Sequence, residues 1–187
     1  MNINYKIEFF SDWHCGSGLA AGADVDELVV KDKNGLPFIP GKTIKGLVKE
    51  ALEDICSFRG DDKDELIKEA FGFFNEKDSK GKGTAFFGNA TLPKNEQDSI
   101  RDNKVQEFMY RNIASTSIES NGIAKEHSLR RMETVVPCKL EGSIKDVPAG
   151  LVEDVKDALK FIKRLGTDRN RGLGRCRFVD FKEEDEK

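Results

Sequence analysis

From Ile3 to Phe9 the chain alternates, with Ile3, Tyr5, Ile7 and Phe9 apolar and Asn4, Lys6 and Glu8 polar. That is the period of a strand with one buried face. The stretch Cys15-Gly-Ser-Gly-Leu-Ala-Ala-Gly22 is too glycine-rich for a helix and predicts a loop whose backbone closely approaches something. Two apolar runs, 28–31 and 36–39, flank Asp32-Lys33-Asn34-Gly35, and Asn-Gly in that setting predicts a hairpin. After Pro40-Gly41, Ile44, Leu47, Val48, Ala51, Leu52 and Ile55 recur at helical spacing, giving a helix over 43–56. A charged linker, 59–65, leads to a short helix with Leu66, Ile67, Ala70 and Phe71 inward. Gly81 and Gly83 precede a strand over 84–92, and 93–106 reads as an exposed polar insertion. Strand patterns return over 108–118 and 134–144, separated by Glu119-Ser-Asn-Gly122 and a charged segment, 125–133. A helix over about 149–165 turns Leu151, Val155, Leu159, Ile162 and Leu165 inward, with Gly166 as its C-cap. A strand over 175–181 and an acidic tail, 182–187, follow.

Without the hairpin and the insertions the order is strand, helix, strand, strand, helix, strand. It predicts an α+β fold of the ferredoxin-like, split βαβ kind: one antiparallel sheet with helices on one face. The length, 187 residues, fits a single domain. Apolar residues at 37%, 13 of them Phe, suffice for a core under a surface in which 35% of the chain is charged. Apolar runs fall far short of the roughly 20 residues a bilayer span needs, and the first ten residues lack the layout of a secretory signal. Cys15, Cys56, Cys138 and Cys176 are scattered with no CxxC, so reduced thiols and a soluble cytoplasmic protein are expected.

Charge narrows the chemistry. The formal balance is −3, which excludes a uniformly basic coat but permits local basic patches. Three such patches stand out. Residues 160–177 hold seven cations against one acid, with Gly172 and Gly174 allowing close backbone approach and Arg169, Arg171 and Arg175 able to fork onto phosphate oxygens. Lys42, Lys45 and Lys49 share one side of the 43–56 helix, where cations in the first turn oppose the helix dipole unless an anion binds. Arg130 and Arg131, beside Met132, form the third; an apolar wedge among cations can separate stacked bases. Gly41-Lys42-Thr43 is not a P-loop, because Leu36 stands where the first glycine belongs. Among the early acids Asp24, Asp26, Glu27 and Asp32, Asp26 follows the glycine-rich loop and is placed to face a groove, where one Asp can hold a divalent metal at a phosphodiester. His14 lacks a second ligand at zinc spacing, and its candidate roles are acid/base group or phosphate contact.

These motifs together resemble the RAMP superfamily. The resemblance rests on Trp13-His-Cys-Gly-Ser-Gly18, Asp26 to Asp32, Gly35-Leu-Pro-Phe-Ile-Pro-Gly-Lys-Thr-Ile-Lys-Gly46, Ala70-Phe-Gly72, Gly83 to Ala90, Arg111-Asn-Ile113, Glu133-Thr-Val-Val-Pro137, Leu140 to Ile144 and Gly166-Thr-Asp-Arg-Asn-Arg-Gly-Leu-Gly-Arg175, in that order along nearly the whole chain. It is nearest to the repeating, target-cutting backbone subunit of type III CRISPR interference complexes. The resemblance implies an RRM-like βαββαβ core (about 1–56, 83–92 and 134–181), a helical lid inserted at about 57–82 and a thumb hairpin at about 111–133 that protrudes from Ser115 to Met132. It further implies copies stacking with sibling subunits along a guide RNA, and cleavage of complementary target RNA with Mg²⁺ or another divalent metal. Asp26 falls on the catalytic, metal-supporting position, with Asp24 one strand period away as the alternative. His14, Lys42, Lys45, Lys49, Arg111, Arg130, Arg131, Met132, Arg169, Arg171, Gly172, Gly174 and Arg175 fall on RNA-contacting stretches. Glu27-Leu28 stands where commoner members have a small residue and proline. Two other readings remain: a non-catalytic, structural RNA-binding subunit, and a stand-alone RAMP nuclease that processes guide precursors with His14 as acid/base.

Overall fold

A computed structural model describes residues 1–22, 24–75 and 79–184, with backbone alone at 74, 75, 79 and 80. The alternating N-terminus forms β1 (Asn2–Phe9), followed by β2 (Phe38–Ile39), α1 (Gly41–Arg59), α2 (Asp64–Phe71), β3 (Gly72–Asn75), β4 (Ser79–Lys82), β5 (Phe86–Phe87), β6 (Ala90–Thr91), α3 (Lys94–Asp102), β7 (Tyr110–Ser115), β8 (Arg130–Val135), β9 (Lys139–Lys145), α4 (Val152–Phe161) and β10 (Cys176–Glu184). The main sheet runs β10–β1–β9–β6–β2, with β5 also on β9, and every pairing is antiparallel. Counting β5 and β6 as one interrupted strand, the crossovers through α1 and α4 give the split βαβ pattern of an α+β fold.

Ile3, Tyr5, Ile7 and Phe9 face the helices and merge with Ile44, Val48 and Leu52 of α1 and Val155 and Leu159 of α4 in one core. Each such aliphatic or phenylalanine side chain contributes about 1.5–3 kcal/mol on burial. On the other face Lys6 lies between Glu141 (3.8 Å) and Asp180 (3.4 Å), and Glu8 between Lys139 (2.9 Å) and Arg177 (2.6 Å). That face is committed to ion pairs.

Local chemistry explains where the elements depart from the sequence pattern. The strand expected over 84–92 breaks at Gly88-Asn89, and the Asn89 carboxamide oxygen accepts the Gly41 N–H at 2.9 Å, capping α1. A Cβ on Gly41 would lie 1.9 Å from the Phe87 carbonyl oxygen, so only glycine can start α1 against β5. The 32–35 turn forms through the Asp32 carboxylate, which accepts the N–H groups of Asn34 (2.8 Å) and Leu36 (2.9 Å). Its flanks make a single bridge, Lys31 to Pro37, instead of a regular hairpin. The 57–82 stretch is not helical throughout, since α2 is followed by the β3–β4 hairpin. The polar 93–106 segment contains α3, which buries none of its residues. The strand expected over 134–144 is divided around Pro137, which has no N–H to give. Thr134 and Val135 belong to β8, which pairs with β7 apart from the main sheet. Finally, α4 ends at Phe161 because the following residues pair with the terminal loop: Leu165 N–H donates to Gly174 O and Cys176 N–H to Lys163 O, both at 2.9 Å. Gly166 is therefore no helix cap. Its φ is +100° and a Cβ there would sit 2.2 Å from the His14 carbonyl oxygen.

Candidate nucleic-acid interface

After β1 the chain leaves the sheet, and Ser11 to Ser17 becomes a strap onto which three segments are tied. The terminal loop attaches through Arg175 N–H to Ser11 Oγ (2.9 Å), Gly174 N–H to Asp12 O (2.8 Å) and Thr167 N–H to His14 O (3.0 Å). The β7–β8 hairpin attaches through Trp13 and Val135, which exchange both backbone bonds (3.0 and 2.8 Å). An arm formed by 16–22 and 24–29 folds back on itself and attaches through Val30 N–H to Cys15 O (2.8 Å) and Ser17 N–H to Leu28 O (2.9 Å). The first turn of α1 also reaches the strap. The Cys15 thiol, pushed up by burial, is drawn back by a hydrogen bond with Thr43 and the charge of Lys42.

His14 is 1% exposed. Its Nδ1 lies 2.6 Å from the Glu133 carbonyl oxygen, and a carbonyl only accepts, so Nδ1 carries the proton. In the neutral ring Nε2 is then the acceptor. It lies 3.8 Å from a Glu27 carboxylate oxygen and close to Gly16, where a Cβ would stand at 3.1 Å. The close approach expected of the glycine-rich loop is thus made at Gly16; Gly18 and Gly22 have nothing within 4 Å. His14, Gly16, Asp26, Glu27 and Thr167 line a cleft of about 300 Å³. Asp26 runs beside β8: its N–H donates to Arg131 O (2.9 Å), and its Oδ2 accepts the Arg131 N–H (2.7 Å). Oδ1 has no protein partner among the described residues. Asp24, exposed near the end of the arm, makes a backbone bond to Ala21 O at 3.2 Å and lies outside the cleft lining. Among the described residues no group of three or more His, Cys, Asp or Glu side chains is arranged to hold a metal.

The cations distribute around this centre. Arg111 lies 3.6 Å from Asp12 at the hairpin base, and Arg130 and Arg131 are exposed on β8. Met132 is half-buried at that base, opposite Ile113 and bridged to Glu27, away from the protruding end. The terminal loop holds Asp168, Gly172 and Gly174 at positive φ and leaves Arg169, Arg171 and Arg175 exposed; Arg171 approaches Asp168 at 3.7 Å. Lys42 is exposed beside Cys15, and Lys49 pairs with Glu53 at 3.7 Å. At about 100° per residue, Lys42, Lys45 and Lys49 lie on one flank of α1's buried stripe. The terminal loop approaches the other flank, where Arg169 and Asn170 share a hollow with Leu47 and Glu50. The lysine face and the arginine loop therefore meet only near the strap end of α1.

Three features escaped the sequence pattern. Glu133 is buried and accepts the Val29 N–H (3.1 Å) and the Lys31 ammonium (2.7 Å), while its backbone binds Glu27 and His14. Lys31 in turn sits 3.9 Å over the Tyr110 ring, whose hydroxyl donates to Gly35 O at 2.6 Å. Far from these, Ile118, Ile123 and Leu129 are exposed near the hairpin end. The Ile-x-x-x-x-Ile spacing around Asn121-Gly122 was the available signal for that end.

Comparison with known proteins bears on the family and the fold. The model of the RAMP superfamily matches residues 6–177. No curated protein matches the chain in sequence. Among solved structures, a chain of the type III-B Cmr-beta bound to cognate target RNA superposes with a TM-score of 0.67 at 11% identity, covering 95% of this chain and 97% of that one. A chain of the type III-B Cmr-beta in the apo state gives 0.69 at 12% identity, with 96% of each chain covered. At such identities the likeness concerns the fold.

Proposed function

The chain belongs to the RAMP superfamily, and from that premise we propose that it is a guide-RNA-binding backbone subunit of a type III CRISPR interference complex that cleaves complementary target RNA. The observation that carries the reading is the convergence on one strap, Ser11 to Ser17, of the Asp26 arm, the arginine-bearing terminal loop and the base of the β7–β8 hairpin. Arg169, Arg171 and Arg175, held on a glycine-shaped loop, supply forked donors for a phosphate backbone. Arg111, Arg130 and Arg131 supply others on the hairpin, which serves as the thumb. The aromatic pattern of a base-stacking RRM is absent around Thr84 to Gly88, so recognition follows backbone shape more than base identity.

In the cutting step Asp26 is the acid. The Arg131 N–H holds Oδ2 and fixes the carboxylate, leaving Oδ1 for a cation. One carboxylate oxygen is a poor resident site but suits Mg²⁺, which commonly takes one or two carboxylates and completes its shell with substrate phosphates and water. Such a cation would supply charge stabilisation at the reacting phosphodiester. The Glu133 clamp on Val29 and Lys31 keeps the Asp26 arm in register with β8.

A second reading, a structural RNA-binding subunit, draws support from the same Oδ2 bond and from the missing multi-carboxylate group among the described residues. The decisive assay assembles the subunit with guide RNA and sibling subunits, adds matched target RNA and Mg²⁺, and compares wild type with Asp26→Ala. Lost cleavage with retained binding is expected; unchanged cleavage contradicts the catalytic assignment. Precursor cutting in EDTA that His14→Ala abolishes would instead identify a guide-processing nuclease.

A further inference from the structure

On the helical layer, away from the strap, the C-terminal half of α1 and the end of α4 enclose a groove of about 790 Å³. Its apolar walls are Ile55, Phe58 and Phe161, and the two phenylalanines are 94% and 57% exposed. Open aromatics grouped in a concavity mark an interaction site more often than scattered ones. Past Asp54 and Phe161 the groove runs on into a hollow of about 380 Å³ beside Leu47 and Ala51. From Leu47 to Phe58 this wall is about 16 Å of helix, or three turns.

The two lips carry opposite charge. Arg59 and Lys160 are taken up by Asp157, at 2.8 and 3.4 Å. That leaves Lys163, Arg164 and, at the hollow, Arg169 on one lip; Lys163 and Arg164 each donate only to a backbone carbonyl (2.6 and 2.9 Å), and none of the three has a carboxylate partner among the described residues. Glu50 and Asp54 stand on the α1 lip with no cationic partner among the described residues. An apolar trough between a cationic and an acidic lip is the complement of an amphipathic helix whose flanks are oppositely charged.

We infer that this groove docks an amphipathic helix of another protein. That helix is about three turns long, apolar at i, i+4 and i+7, with acidic residues against Lys163 and Arg164 and basic residues against Glu50 and Asp54. RNA suits the groove poorly, because its phosphates would face Glu50 and Asp54. Among the described residues no unpartnered helix of this chain fits: α3, which buries none of its residues, has Ile100 as its single apolar residue. The inference is independent of RNA cleavage.

The test uses two fluorescent 18-residue helical peptides that share one Leu/Ile stripe: a matched peptide with one Glu flank and one Lys flank, and a control with Gln on both flanks. Titrated with the full chain, the matched peptide should bind saturably and about tenfold more tightly than the control. Phe58→Ser and Phe161→Ser should each cost about tenfold or more. The double change Lys163→Glu, Arg164→Glu should weaken the matched peptide most. Phe58→Ser should leave the thermal midpoint in place, which separates lost docking from lost folding. Equal affinity for both peptides, or no saturation by about 1 mM, overturns the inference. So does self-association of the chain that Phe58→Ser abolishes.

Discussion

Single residues at the strap separate contacts that must be glycine from those that merely favour it. Gly174 has a φ of +69° and its missing Cβ would lie 1.9 Å from the Leu165 carbonyl oxygen. Gly172, at φ +98°, has nothing within 4 Å. Gly174→Ala should therefore cost at least about 2 kcal/mol, since backbone strain adds to a clash with the loop's own ladder. Gly172→Ala should cost about 1 kcal/mol, the strain alone. Urea unfolding of the two variants checks the difference, and equal losses would contradict it. Glu133 is the other critical residue. Glu133→Ala strands the Val29 N–H and the Lys31 ammonium and is expected to cost about 2–4 kcal/mol. Neither effect was legible in the sequence. Gly172-Leu-Gly174 looks alike at both glycines, and Glu133 looked like one more residue of a charged segment, because its partners lie about a hundred positions away.

Elements were more legible where pattern and packing agreed. The β1 alternation survives with all four of its apolar residues in the core, and α1 keeps Ile44, Val48, Ala51 and Leu52 there, with Leu47 and Ile55 half-buried at its edge. Boundaries moved where a backbone partner competed: α4 lost its last turn to the terminal loop, and the 84–92 strand gave up Asn89 to cap α1. Asn89→Ala should lower stability by about 1 kcal/mol through that cap, measurable as a drop in the urea midpoint with an unchanged slope. Acid should loosen the sheet's open face. Hydrogen bonds from Lys139 and Arg177 hold the Glu8 carboxyl below its ordinary value of 4.5. A carboxyl with a lowered folded pKa stabilises above its unfolded value and loses that contribution as pH falls through the folded one. Unfolding midpoints should thus decline below about pH 4.5, and Glu8→Gln should flatten that decline. A parallel decline in both proteins would contradict the assignment.

Across the whole molecule, the α+β class, the RAMP resemblance and the basic terminal loop could be read from residues in order. Their convergence on Ser11 to Ser17 could not, because it joins segments from Asp26 to Arg175 through backbone bonds that leave no composition signal. The three basic patches also proved unequal, with Lys45 and Lys49 on the flank of α1 away from the arginine loop. If RNA follows the strap, Lys42→Ala should weaken guide-RNA binding more than Lys49→Ala, whose ammonium is already paired with Glu53. The most direct test is the salt dependence of guide-RNA affinity for wild type and for the combined Arg169→Ala, Arg171→Ala, Arg175→Ala variant. Each lost phosphate contact should reduce the slope of log affinity against log salt by about one. A slope shallower by about two to three supports an RNA path over the strap, and an unchanged slope contradicts it.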